Sequence, residues 1–86
     1  MDGTYIQFIE AQVPKGYKTR AWNIAPKDDG PDYHWIGGVR WYAPWRKYCF
    51  FPQTNTVYEQ VCLREIADFC ERETAAYKKA RQPGRG

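Results

Sequence analysis

Apolar and polar residues alternate in the first two thirds of the chain and cycle with a longer period in the last third. Thr4 to Val13, rich in Tyr, Ile, Phe and Val, predicts a first strand. Pro14-Lys15-Gly16 breaks it with turn chemistry. Lys18 to Ala25 predicts a second strand, with Arg20, Trp22 and Ile24 on one face and Thr19, Ala21 and Asn23 on the other. Pro26 to Asp32 holds two prolines, a glycine and three aspartates, which cannot continue a ladder, so it reads as a loop. Trp35 to Tyr42 predicts a third strand, in which Gly37-Gly38 signals a bulge or a close approach of another backbone. Ala43-Pro44 then turns the chain, and Trp45 to Phe51 predicts a fourth strand ended by Pro52.

The period changes after Asn55. Cys62, Ile66, Phe69, Cys70 and Tyr77 recur at helical spacing, whereas Glu59, Arg64, Glu65, Asp68, Glu71 and Arg72 lie mostly off that stripe. Thr56-Val57-Tyr58-Glu59 fits a capping box with Thr56 as N-cap, and a start near Gln60 fits as well. Pro83 and Gly84 imply that the helix frays by Ala80. The order β-β-β-β-α predicts an α+β fold: a four-stranded antiparallel meander with one C-terminal helix packed on one face. The second face of such a sheet is left to water or to a partner.

Length and composition narrow the picture. The chain has 86 residues, room for one domain, read here as residues 1–81 with a flexible tail at 82–86. A domain this small has a thin core, and four Trp, seven Tyr and four Phe are there to fill it. Net charge is only +3, too weak by itself to imply nucleic acid. Its distribution says more. From His34 to Gln53 the chain carries Arg40, Arg46 and Lys47 and no acid, and the end of the chain adds Lys78, Lys79, Arg81 and Arg85. Helix C-termini favour cations through the macrodipole, which accounts for those in the last turn; a phosphate contact is the sharper alternative.

Cys49, Cys62 and Cys70 are odd in number, include no C-x-x-C pair and fit no disulfide framework, which implies reduced thiols. No run approaches the roughly 20 apolar residues of a membrane span, and Met-Asp-Gly-Thr-Tyr lacks the features of a signal peptide. A cytoplasmic setting without a membrane partner is the expectation.

Few residues suggest catalysis. His34, the one histidine, stands two residues from Asp32, the spacing of a base beside an orienting acid, but an exposed loop histidine is the simpler reading. Cys49, Cys62, Cys70 and His34 offer zinc-type donors. Cys62 and Cys70, however, are separated by about 12 Å of helix axis, too far for one tetrahedral site. Gly37-Gly38 lacks the context of a phosphate loop. The expectation is a non-catalytic protein without cofactor or metal.

One segment does suggest binding. Basic and aromatic residues interleave from Val39 to Tyr48. With Val39 and Trp41 against the helix, Arg40 and Tyr42 face out. With Cys49 and Phe51 against the helix, Arg46, Tyr48 and Phe50 face out too, and Arg20 and Trp22 join them from the second strand. The candidate binding residues are therefore Arg20, Trp22, Arg40, Tyr42, Trp45, Arg46, Lys47 and Tyr48. Such a face suits single-stranded nucleic acid, because Arg pairs with phosphate and rings stack on bases. It equally suits a protein partner, since Trp, Tyr and Arg dominate interface hot spots. The opposite register of the fourth strand would turn Tyr48 and Phe50 into core.

The residues Trp41-Tyr42-Ala43-Pro44-Trp45-Arg46-Lys47-Tyr48-Cys49-Phe50-Phe51-Pro52, followed by Asn55-Thr56-Val57 and by Cys62 to Phe69, resemble a group of short bacteriophage and prophage proteins. Those share a W-Y-x-x-W-R-x-Y-x-F-F-P core and a short helix. The likeness spans roughly Lys18 to Phe69 and names no mechanism, because the group has no assigned activity. It implies a phage or mobile-element origin, a bacterial cytoplasm, and a partner that is nucleic acid, a nucleoprotein or a host protein such as a defence factor that the chain would inhibit.

Overall fold

The computed structural model describes residues 5–27 and 35–80. Asp28 to His34, and with them the Asp32–His34 pair, lie outside the described residues, as do Arg81, Arg85 and the tail. Four strands form one sheet: β1 (Ile6–Ala11), β2 (Ala21–Pro26), β3 (Gly37–Tyr42) and β4 (Lys47–Pro52). They pair antiparallel in the order β1-β2-β3-β4, an uninterrupted meander. The helix α1 (Gln60–Ala80) follows and packs on one face against β4. The expected architecture is the observed one.

Cross-strand register assigns the faces. Phe8 lies opposite Ile24, Trp22 opposite Val39, Val39 opposite Phe50 and Trp41 opposite Tyr48. Paired residues share a face, so all of these look toward the helix. The helix answers with the stripe its period implied: Cys62, Ile66 and Phe69 are buried, and Cys70 and Tyr77 pack partly buried against them. Rings fill the seam. Phe69 stacks on Phe8 at 4.1 Å between centroids and meets Trp22 edge-on at 4.9 Å. Trp41 touches Tyr48 at 5.2 Å and Tyr77 at 4.4 Å.

Polar clips fix how the helix sits. The Tyr48 N–H donates to Thr74 Oγ1 at 2.9 Å, and the Tyr48 hydroxyl accepts the Arg20 N–H at 3.0 Å. Arg20 also holds Glu10 with two hydrogen bonds, 2.7 and 2.8 Å, and reaches Glu73 on the helix at 3.6 Å. The helix begins at Gln60, the later of the two starts considered. Glu59, not Thr56, caps it: Glu59 Oε1 accepts the Cys62 N–H at 2.7 Å, while the Thr56 hydroxyl donates to the Gln53 carbonyl. A carboxylate gains more than a hydroxyl from the positive end of a helix.

The β3 glycines are close-approach positions. Register runs without interruption from Gly37 to Tyr42, so β3 carries no bulge against β4. A Cβ on Gly37 would lie 2.6 Å from the Phe50 ring and 3.0 Å from the Tyr58 hydroxyl. That hydroxyl donates to the Ile36 carbonyl. One on Gly38 would lie 3.1 Å from the Trp22 carbonyl oxygen.

Candidate functional site

The face turned away from the helix carries Gln7, Ile9 and Ala11 from β1, then Ala21, Asn23 and Ala25 from β2. It continues with Gly38, Arg40 and Tyr42 from β3 and Lys47, Cys49 and Phe51 from β4. Two textures divide it. The β1–β2 side sets Gln7, Ile9 and Asn23 among alanines, of which Ala25 is fully buried. The β3–β4 side is a ridge of rings and cations.

On the ridge the Arg40 guanidinium lies over the Phe51 ring, 5.2 Å from its centroid. Its nitrogens lie 3.9 Å from where a Gly38 Cβ would stand, an ordinary van der Waals distance. Tyr42 neighbours Phe51 at 6.2 Å and Trp45 at 4.9 Å, both edge-on. Tyr42, Trp45, Cys49, Phe50 and Phe51 line a shallow hollow of about 270 Å³. Trp45 is 66 % exposed and forms its rim. Among the described strand positions of this face there is no Asp or Glu.

The turn completes the ridge. It has four residues, Ala43 to Arg46, instead of two, so Trp45 and Arg46 belong to the turn and not to β4. The Tyr42 carbonyl accepts the N–H groups of both Trp45 and Arg46. Arg46 closes the turn in the left-handed region, φ 56°, which costs a side-chain-bearing residue energy. Its side chain and that of Lys47 are exposed at the tip.

Three expected site residues are placed elsewhere. Trp22 and Tyr48 are core, 5 % and 4 % exposed. Tyr48 belongs inside because its hydroxyl finds the Arg20 N–H, which satisfies the one polar atom the ring brings with it. Burial pushes its phenol up from the ordinary value. Arg20 is on the helix side, drawn there by Glu10 and Glu73, and its guanidinium lies 4.8 Å from the Trp22 ring centroid. The hydrogen bonds to Glu10 raise the Arg20 pKa and lower that of Glu10. Arg40, Tyr42 and Trp45 are brought together on the ridge, while Arg46 and Lys47 are exposed at the tip beside it, Lys47 also lining a hollow with the helix. Phe51 joins the ridge against expectation, and turn length is the signal that points to it. Any even-numbered turn puts the odd residues of β3 and the even residues of β4 on one face. Val39 and Trp41 inside therefore require Tyr48 and Phe50 inside and Phe51 out.

The thiols are free. Cys62 is buried on the helix, and burial pushes the Cys70 thiol up to about 11. Among the described residues no three His, Cys, Asp or Glu side chains are grouped as a metal site would need, and no helix is long and apolar enough to cross a membrane. Compared with known proteins, the chain matches no family model, no curated protein and no solved structure.

Proposed function

We propose that this protein is a non-catalytic binding module that takes single-stranded nucleic acid on the open face of its sheet. The observation that carries the reading is the acid-free ridge on which Arg40 overlies Phe51 beside the Tyr42–Trp45 pair. Bases stack on Phe51, Tyr42 and Trp45, and phosphates meet Arg40, Arg46 and Lys47. Stacking accepts any base, so the mode is sequence-tolerant. The phage-like core motif favours a bacterial cytoplasm as the setting.

The test is fluorescence anisotropy of labelled single-stranded oligonucleotides at about 50 and 200 mM salt, a span over which phosphate-driven binding weakens sharply. Affinity falls with salt, and Phe51→Ala or Tyr42→Ala each costs about 1–3 kcal/mol per stack removed. Binding indifferent to salt and to both substitutions would sink the reading.

A second reading rests on Trp45, whose exposed ring stands over an apolar hollow as an interface anchor does. The ridge then docks on a host protein and inhibits it. No oligonucleotide binding at the lower salt, together with a Trp45-dependent complex with a single host protein, would favour it.

A further inference from the structure

An antiparallel meander puts its first and third turns at the same end of the sheet. The C-terminal turns of α1 reach that end too, because Tyr77 packs on Trp41 and Thr74 on the Tyr48 N–H. Three separate elements therefore deliver cations to one place. Lys15 and Lys18 come from the β1–β2 connection, Arg46 and Lys47 from the β3–β4 tip, and Lys78 and Lys79 from the last turn of the helix; all six are exposed. Two hollows on either side of Tyr48 set three of them, Lys18, Lys47 and Lys78, against the helix. One, of about 230 Å³, is lined by Lys18, Tyr48, Tyr77 and Ala80. The other, of about 390 Å³, is lined by Lys47, Tyr48, Thr74 and Lys78.

Among the described residues the acids at this end are Glu10 and Glu73, both against Arg20, and Glu71; Glu73 lines the smaller hollow and Glu71 the larger. The six cations outnumber them two to one, although the whole chain carries only +3. The helix dipole accounts for Lys78 and Lys79. It does not account for four more cations converging from two hairpins.

We propose that this end is a phosphate track: the nucleic-acid strand leaves the ridge over Trp45, crosses the β3–β4 tip, and lays its backbone along Lys47, Lys78 and Lys79 toward Lys18 and Lys15. The proposal rests on the open-face reading and extends the footprint beyond it. The ridge holds bases, the end holds phosphates, and the two meet at Arg46 and Lys47.

The experiment measures salt dependence of binding to oligo-dT of about 16 nucleotides, the upper site size for a single small module. Three proteins are compared: the parent, a variant with Lys15→Gln, Lys18→Gln, Lys78→Gln and Lys79→Gln, and a variant with Tyr42→Ala and Phe51→Ala. Matching thermal melts of the parent and the Gln variant establish that the exposed substitutions leave the fold intact. In the Gln variant the log–log salt slope flattens by about 0.7 for each phosphate that is no longer neutralised, and base stacking, read by quenching of tryptophan fluorescence, persists. A parent-like slope and affinity in the Gln variant, with the ridge variant impaired, would overturn the track and leave the open-face reading standing. Impairment of the Gln variant alone would keep the basic end and overturn the ridge. No binding by the parent at low salt would overturn both.

Discussion

Gly37 is where one missing atom sets the packing of two elements. Its Cα face is the floor on which the Phe50 ring and the Tyr58 hydroxyl rest, both nearer than a Cβ allows. Gly37→Ala forces Phe50 off its rotamer and strains the Tyr58 bond to Ile36, at a cost of about 1–3 kcal/mol for overpacking. Chemical denaturation of the purified variant reads it; a midpoint equal to that of the parent would show that the ring yields freely. The glycine pair is legible in the sequence as a constraint. Its nature is not, because a bulge and a close approach leave the same mark in one dimension and only the partner strand tells them apart. Tyr48 shows the converse. Its ring and its hydroxyl argue for opposite environments, and the outcome depends on whether a donor lies within reach. That donor, the Arg20 N–H, is 28 residues away in the chain.

At the scale of elements, Phe69 is the side chain that ties α1 to the far strands. It stacks on β1 through Phe8 and abuts β2 through Trp22, while most of the helix lies nearer β4. Phe69→Ala removes both ring pairs and leaves a hole the rigid rings cannot close, costing about 3–5 kcal/mol. A loss below about 1 kcal/mol in urea unfolding would mean that the seam repacks. The helix stripe and the strand order can be read from periodicity because each element repeats its pattern several times. The limits of β4 cannot be read so well. Trp45 has high strand propensity, yet it lies in the turn, since tertiary pairing of Tyr42 with Lys47 overrides the preference of one residue. The helix start is ambiguous for a similar reason: Thr56 and Glu59 both offer a cap, and the backbone takes the charged one.

For the molecule as a whole, two carboxylates tie stability to pH. The Arg20 hydrogen bonds hold Glu10 below the usual carboxylate value of 4.5, and the N–H groups of Val61 and Cys62 do the same for Glu59. Both groups are more acidic folded than unfolded. Their contribution is therefore complete above about pH 4.5 and drains away as the pH falls through the lowered values. Thermal melts followed by circular dichroism at pH 7, 5 and 3 are expected to agree at the first two and fall at the third, by less in Glu59→Gln. A melting temperature unchanged at pH 3 would show that neither pair matters. The effect is modest for Glu10, since its ion pair with Arg20 is about half exposed.

The bond from the Tyr48 N–H to Thr74 has a meaning beyond docking the helix. Along an antiparallel edge strand, alternate residues aim their N–H groups away from the sheet. On β4 these are Tyr48, Phe50 and Pro52. A helix hydroxyl occupies the first, and the third, a proline, has no N–H to offer. A foreign strand arriving at this border finds a single donor, at Phe50, where a full ladder needs three. A threonine and a proline thus leave the border of the fourth strand poor in donors, which disfavours chain-to-chain growth there without the inward charges or lysine rows that other edges use.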